Sequence, residues 1–212
     1  MTTQAPVDIE TPSGPARAHL HRAEAPRAAI VLGYGAGGAA EPPDLLAARD
    51  AAQAERISVA FVEQPYRVAG RRSPPRGPQL DAAWLAVIEH LRRVELAGLP
   101  LIVGGRSLGG RVACRTAAEA EAVAVLFLAF PLQPPTRAGK PPVSRLDELD
   151  AVTVPTLVVQ GERDRFGLPP PGPAREVVTV AGDHGLKADP EAVSAAVRSW
   201  LARTLAAEIA SS

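Results

Sequence analysis

The sequence contains one cysteine, no excess of either charge and no long apolar run. A single cysteine, Cys114, excludes an internal disulfide, and we expect it to be an inert core residue. Because 23 basic side chains balance 23 acidic ones, no overall charge would draw the chain to nucleic acid or to an anionic membrane. The longest apolar run, residues 122–132, is too short to span a bilayer, and the N-terminal segment lacks the apolar core of a secretory signal. These absences favour a cytoplasmic protein without nucleic-acid or membrane partners.

The remaining composition is that of a globular protein. With 212 residues, 46% of them hydrophobic and 22% charged, the chain is long enough to bury one substantial core. We therefore expect a single domain over residues 1–212. The 22 prolines and 18 glycines cluster between the apolar segments, which predicts short loops and argues against disorder.

Short apolar segments alternate with helical patterns along most of the chain. Residues 7–10 and 16–22 flank a Thr-Pro-Ser-Gly-Pro turn and predict an N-terminal antiparallel hairpin. Six later runs rich in Val, Ile and Leu predict strands covered on both faces, at residues 28–32, 58–62, 101–104, 122–130, 156–160 and 176–180. Helices are predicted between or after them, at residues 44–55, 79–96, 108–119 and 190–209.

This alternation predicts an α/β fold. We expect a mainly parallel sheet of about six strands, preceded by the antiparallel hairpin and covered by helices on both faces. The connection over residues 131–153 is proline-rich, with at most a short helix at 144–150. Larger enzymes of this architecture insert a lid domain there, and the connection has no room for one.

The motif Gly105-Arg106-Ser107-Leu108-Gly109 follows one of the predicted strands and precedes a predicted helix. A nucleophilic serine has to sit on a tight strand-to-helix turn, where side chains two residues to either side would collide. Gly105 and Gly109 meet that requirement. The motif alone arises by chance in glycine-rich loops, but its place between a strand and a helix predicts a nucleophile elbow that presents Ser107.

A serine hydroxyl is a weak nucleophile near neutral pH, so Ser107 needs a base and an acid that orients the base. His184 follows the strand at 176–180 and Asp164 follows the strand at 156–160, so we expect both beside Ser107 at the carboxyl edge of the sheet. The chain order serine, aspartate, histidine is the order that this kind of site requires. The competing interpretation is that Asp164 caps a turn and His184 is an ordinary loop residue. The weaker candidates for the two roles are His19, His21, His90, Glu162 and Asp183.

The transition state of such a reaction also needs two N–H donors for its oxyanion. One is the backbone amide of Leu108, the residue after the nucleophile. The second is expected from the glycine-rich loop after the strand at 28–32, where we predict the amide of Ala36. The loop also fits a nucleotide-binding pattern, Gly33-x-Gly35-x-x-Gly38, but a phosphate site would leave the three converging residues unexplained.

The segments GYGAGG, PYRVAGRR, GGRSLGGR, GERDRFG and GDHGLK together resemble the α/β-hydrolase superfamily. Within it, the chain is similar to the small, lid-less, dienelactone-hydrolase-like proteins that include the animal testis-expressed hydrolase-like family. The resemblance implies a serine hydrolase with Ser107, Asp164 and His184 as its triad. The oxyanion loop of such proteins usually begins His-Gly-Ala-Gly. Here Tyr34 stands in place of the histidine, and we expect its phenol to brace the loop or contact the substrate.

A basic segment, residues 65–78, follows the predicted strand that ends at residue 62 and contains four arginines but no acid. We expect it near the mouth of the site, where Arg71 or Arg72 would receive an anionic group of the substrate. A solvated basic loop is the simpler alternative. The predicted activity is cleavage of a small ester or thioester through an acyl-enzyme on Ser107, without metal or cofactor, by a monomer or homodimer. The second class of function is a non-catalytic protein of this fold that binds or assembles with a partner.

Overall fold

The computed structural model describes residues 5–37, 42–134 and 143–211, with side chains up to residue 206. The strands in these residues are β1 (Val7–Ile9), β2 (Ala16–His21), β3 (Ala28–Gly33), β4 (Ile57–Glu63), β5 (Leu101–Arg106), β6 (Ala124–Leu128), β7 (Thr156–Gly161) and β8 (Arg175–Val180). The helices are α1 (Pro43–Ala54), α2 (Pro65–Val68), α3 (Gly77–Arg93), α4 (Leu108–Thr116), α5 (Leu146–Asp150) and α6 (Pro190–Ser211).

All of these strands belong to one sheet, in the order β1-β2-β4-β3-β5-β6-β7-β8. β1 and β2 form the antiparallel hairpin, and β2 continues antiparallel onto β4. The six strands from β3 to β8 run parallel to one another. The predicted α/β fold, with a parallel sheet of six strands and an N-terminal hairpin, is confirmed.

Two apolar cores cover the two faces of the sheet, because successive side chains of a strand point to opposite sides. Ala29 and Val31 of β3 join the core under α3 and α4, whose largest fully buried residue is Trp84. Ile30 and Leu32 of the same strand join the core under α1 and α6. β3, β5, β6 and β7 are therefore buried along almost their whole length, as expected for strands covered on both faces.

The local sequence determines where the last helix, α6, begins and which of its faces is buried. Asp189 caps its start, with Oδ1 accepting the N–H of Ala192 at 2.9 Å, and proline occupies the first helical position. Its buried side chains recur at helical spacing, at Val193, Val197, Trp200, Leu201 and Leu205. This stripe packs α6 against α1 and the sheet.

The order of the central strands creates a crevice at the carboxyl edge of the sheet. The chain passes from β3 outward to β4 and then returns to the other side of β3 as β5. The helix after β3 consequently covers one face and the helix after β5 covers the other. In open α/β sheets the point where the strand order reverses is where ligands bind, outside the carboxyl ends of the strands.

Some element boundaries differ from the sequence-based predictions, and one short helix was not predicted. β6 is shorter than residues 122–130 because Ala129, with a φ of 51°, turns the chain after Leu128. α4 ends at Thr116 instead of residue 119, and turns follow it. The short helix α2 was not predicted because its four residues lie in a proline-rich segment. The predicted connection without a lid contains only α5 among its described residues, while 135–142 lie outside them.

Candidate active site

Ser107 occupies the turn between β5 and α4 in a strained backbone conformation, with φ 49° and ψ −109°. Non-glycine residues rarely adopt this region, and such strain is typical of nucleophile elbows. The positions two residues before and two residues after Ser107 have no room for a side chain, so both must be glycine. A Cβ at Gly105 or at Gly109 would overlap the carbonyl oxygen of Gly33 in the neighbouring strand. The elbow therefore packs backbone against backbone at the reversal of the strand order.

The structure brings Ser107, His184 and Asp164 into one hydrogen-bonded chain. Oγ of Ser107 lies 2.9 Å from Nε2 of His184, and Nδ1 of His184 lies 2.8 Å from Oδ2 of Asp164. The three residues follow the carboxyl ends of β5, β8 and β7 respectively. Because a carboxylate can only accept, Nδ1 carries the ring proton, and Nε2 of the neutral imidazole is left to accept the proton of the serine hydroxyl.

The carboxylate of Asp164 is fully buried and held from several sides. Its Oδ1 accepts the backbone N–H of Phe166 at 2.9 Å, and its Oδ2 accepts the side-chain amide of Gln160 at 2.8 Å. Nε2 of Gln160 is also 3.0 Å from the carbonyl oxygens of Phe130 and Gly167. Hydrogen bonds of this kind fix the carboxylate in the orientation that meets the imidazole. Sequence reasoning missed Gln160, because its position within an apolar strand indicates only that the residue is buried.

The imidazole of His184 is held by its surroundings as well as by Asp164. The ring of Phe166 meets it edge to face, with centroids 4.4 Å apart. The backbone carbonyl of His184 accepts a hydrogen bond of 3.0 Å from Nη2 of Arg106, the residue before Ser107. The guanidinium of Arg106 also forms an ion pair with the fully buried Asp44, at 2.9 Å. Sequence reasoning did not single out Arg106 or Asp44.

Both predicted oxyanion donors belong to segments that meet at the elbow. Leu108 is the first residue of α4, where backbone N–H groups have no acceptor within the helix. Ala36 is exposed in the loop after β3, and its carbonyl accepts the hydroxyl of Tyr66 at 3.3 Å. The carbonyl of Gly35 accepts Nη1 of Arg67 at 3.2 Å. The unpredicted helix α2 thus braces the loop that was expected to supply the second donor. Gly38, the last glycine of the alternative phosphate-binding pattern, lies outside the described residues.

The comparison with known families agrees with this geometry. Residues 26–195 match the model of an alpha/beta hydrolase domain family. The chain belongs to that family. The sequence-based assignment to the α/β-hydrolase superfamily is therefore confirmed. None of the curated proteins matches the sequence.

Solved structures that share the fold include hydrolases without a lid. XC6422 from Xanthomonas campestris, an α/β serine hydrolase without a lid, is 19% identical with a TM-score of 0.74, over 96% of this chain and 95% of that chain. Est1E from Butyrivibrio proteoclasticus is 16% identical with a TM-score of 0.76, over 96% and 100%. The dienelactone hydrolase of Anabaena variabilis is 16% identical with a TM-score of 0.72, over 96% and 99%. At these identities the likeness concerns the fold of the hydrolase domain.

Tyr34, at the start of the loop after β3, is largely buried in the hydrolase domain. Its ring packs against Phe61, with centroids 5.9 Å apart, and lies under the guanidinium of Arg67 at 4.9 Å. The ring therefore belongs to the support of the loop after β3. Arg67 links this ring to the carbonyl of Gly35, so the aromatic ring and the loop are fixed together.

Arg71 and Arg72 are exposed beyond α2, in the basic segment. Arg71 lines a cavity of about 490 Å³ between the hairpin turn and α2, together with Ser13, Gln64 and Tyr66 among others. The lining of that cavity does not include Ser107, Asp164 or His184. Within the described part of the chain, neither arginine forms an ion pair. The structure thus places Arg71 beside the hairpin.

The candidates set aside for the triad have other partners in the hydrolase domain. His19 contacts Glu63 at 2.8 Å, and His90 lies 3.5 Å from Glu95. Glu162 pairs with Arg163 on the surface. No three His, Cys, Asp or Glu side chains among the described residues gather as metal ligands would. No helix in the described part has the length and apolar character needed to cross a bilayer.

Cys114 is buried on α4, where its thiol donates to the carbonyl of Glu148 at 3.1 Å. Burial raises the pKa of this thiol to about 12, so it stays protonated near neutral pH. A protonated, buried thiol is a poor nucleophile, and its environment is that of a core residue.

Proposed function

We propose that this protein is a serine hydrolase that cleaves a small ester or thioester through an acyl-enzyme on Ser107. The observation that carries the proposal is the continuous chain of hydrogen bonds from Ser107 through His184 to Asp164. Membership of the alpha/beta hydrolase domain family and the serine hydrolases among its structural neighbours support the reaction class. The predicted second class, a non-catalytic binding protein, has no comparable observation in its favour.

In the first half of the reaction, Oγ of Ser107 attacks the carbonyl carbon while Nε2 of His184 takes its proton. The carbonyl oxygen becomes an oxyanion, which the amides of Leu108 and Ala36 stabilise. The carboxylate of Asp164 stabilises the imidazolium that forms. The tetrahedral intermediate then expels the alcohol or thiol, which receives the proton from Nε2, and leaves an ester on Ser107.

In the second half, water attacks the acyl-enzyme with His184 again acting as the base. The same donors hold the new oxyanion, and Oγ of Ser107 leaves with the proton from Nε2. The products are a carboxylic acid and the free enzyme. The original hydroxyl proton of Ser107 leaves with the alcohol or thiol, and a proton from water replaces it, so the enzyme returns to its starting protonation state without a metal or an organic cofactor.

A fluorophosphonate probe tests this proposal directly, because it phosphonylates a serine only when a base activates it. We expect labelling at Ser107 that Ser107→Ala abolishes and His184→Ala strongly reduces. Ser144→Ala, which removes an exposed serine outside the triad, is the control and should label like the wild type. A folded wild-type protein that resists the probe would contradict the proposal and favour the binding role.

The substrate class is tested by a panel of short esters, thioesters and lactones. The hypothesis that Arg71 or Arg72 receives an anionic group predicts that Arg71→Ala and Arg72→Ala lower kcat/KM more for an acidic ester than for its neutral counterpart. Its support is that both guanidinium groups are exposed and form no ion pair in the described residues. Equal losses for the two esters would reject this preference and leave the hydrolase proposal intact.

A further inference from the structure

One guanidinium touches three of the segments that make up the candidate site. Arg106 precedes Ser107 at the end of β5. Its Nη2 donates to the carbonyl of His184 at 3.0 Å, which holds the loop after β8. Its Nη1 packs on the loop after β3, where a methyl group added at Gly35 would lie 3.0 Å away. The guanidinium of Arg106 therefore connects three segments: the one that carries Ser107, the one that carries His184, and the loop predicted to supply the second oxyanion donor.

The guanidinium is itself fixed by a buried carboxylate. Nε of Arg106 lies 2.9 Å from Oδ2 of Asp44, whose side chain is 0% exposed, while that of Arg106 is 16% exposed. Asp44 lies in the first turn of α1, directly after the loop that follows β3. Burial raises the pKa of Asp44, and the charge of Arg106 opposes that rise. A carboxylate in such a place needs a partner of opposite charge, and the partner it has is the residue next to the nucleophile.

Stability alone does not account for this arrangement. A buried ion pair is often no more stabilising than a pair of apolar residues of the same size, because both charges lose their hydration. What a guanidinium adds is a flat fork with several donors in fixed directions. In Arg106, Nη2 of this fork donates to the backbone carbonyl of His184, and Nη1 lies close against Gly35 in the loop after β3.

We propose that Arg106, held by Asp44, is a positioning residue that keeps the His184 loop and the Gly35 loop aligned with Ser107. The inference rests on the proposed function, since alignment matters for transfer of the proton from Ser107 and for the oxyanion. We expect Arg106 to affect kcat, because its contacts hold the backbone segments that carry the base and the predicted second oxyanion donor.

The test separates alignment from stability with two variants. Arg106→Met alone leaves Asp44 buried without a partner and is expected to destabilise the fold strongly. The double variant Arg106→Met/Asp44→Asn removes both charges and should regain most of the lost thermal stability. Because small misplacements of reacting groups are costly, we expect its kcat to stay about 10- to 100-fold below wild type, with KM changed by less than about two-fold.

Arg106→Lys is the conservative variant. Its ammonium keeps a charge for Asp44 but cannot reproduce the planar fork. We expect near wild-type thermal stability and a kcat about ten-fold lower. The matched control is Arg115→Met/Asp81→Asn, which removes an ion pair between α4, the helix that follows Ser107, and α3, with side chains 20% and 22% exposed. The control should keep wild-type kcat. A folded double variant or Arg106→Lys with wild-type kcat would overturn the positioning role.

Failure of the hydrolase proposal is recognised separately, by wild-type protein that the fluorophosphonate probe does not label. The alignment can then still be measured by NMR, through the downfield proton on Nδ1 of His184 that is shared with Asp164. We expect this resonance to shift or broaden in Arg106→Lys and to stay unchanged in the Arg115 and Asp81 control. An unchanged resonance in Arg106→Lys would overturn the proposal even if the protein had no turnover.

Discussion

Gln160 donates its side-chain amide to Oδ2 of Asp164, the same oxygen that accepts Nδ1 of His184. One carboxylate oxygen therefore receives a donor from the strand behind it and a donor from the imidazole in front of it. The amide of Gln160 is fully buried in β7, four residues before Asp164, so the orientation of this carboxylate is set inside the sheet.

Gln160→Met tests this support, because methionine keeps the volume and removes the amide. We expect kcat to fall about ten-fold, since a hydrogen bond to a charged group typically contributes about 1.5–3 kcal/mol. The free energy of unfolding should fall as well, because Phe130 and Gly167 each lose a donor. The control is Gln64→Met, a buried glutamine after β4 whose amide donates to the backbone carbonyl of Leu80 and, among the described residues, does not contact Asp164. If both variants had the wild-type kcat, Gln160 would have no part in orienting the acid.

Asp164→Asn should preserve the shape of the site and remove its charge. The amide can present its N–H₂ to the imidazole, which then holds the wrong tautomer, and we expect kcat to fall by about 10³- to 10⁴-fold. KM should change little. Labelling of Ser107 by the fluorophosphonate probe should slow in proportion. The control Glu162→Gln alters an exposed carboxylate two residues away and should leave kcat at the wild-type value. A comparable loss in Glu162→Gln would mean that the acid has been assigned to the wrong residue.

Gly109→Ala should damage the elbow through packing alone. Its Cβ would overlap the carbonyl group of Gly33 in β3, so one of the two backbones would have to move. Overpacking usually costs about 1–3 kcal/mol, and a clash with backbone belongs at or above the upper end of that range. Chemical denaturation measures the loss. Gly37→Ala is the control, because a Cβ there meets nothing within 4 Å. Equal stability of the two variants would contradict the close approach of the first turn of α4 to β3.

The His19–Glu63 pair predicts a dependence of stability on pH. The hydrogen bond from His19 holds the pKa of Glu63 below its ordinary value of 4.5, and the charge of Arg67 acts in the same direction. A carboxyl whose pKa is lowered by folding stabilises the protein above its ordinary pKa, and this contribution disappears as the pH falls through the folded value. Urea unfolding of wild type and Glu63→Gln should differ at about pH 7 and converge toward about pH 3. A difference that stays constant between these pH values would contradict the shift.

The sequence predicted most of the fold because its apolar runs are short and separated by clear turns. β3, β5 and β7 lie within one or two residues of their predicted positions, since each is an uninterrupted Val, Ile and Leu run. The end of β6 was misplaced because the apolar run continues to Phe130 while the backbone already turns at Ala129. Apolar character reports burial, and a buried turn has the same composition as a buried strand.

The sequence could predict that residues following different strands meet at one edge of the sheet. It could not predict contacts between side chains that are far apart in the sequence. Ser107, Asp164 and His184 each come directly after a strand, so topology alone brings them to one edge. The ion pair between Arg106 and Asp44 joins residues 62 positions apart, and no spacing in the sequence indicates it. Their residue types gave no signal, because an arginine and an aspartate are ordinarily surface residues.

The distances along the chain within the candidate site have a consequence for its biosynthesis. His184 lies 77 residues after Ser107, and β8 must reach the sheet before the imidazole is in place. A ribosome that has released only the first seven strands has therefore made an elbow without its base. On the proposed function, Ser107 of the growing polypeptide has no base to activate it, and its reactivity toward electrophiles arises only when the last quarter of the chain docks.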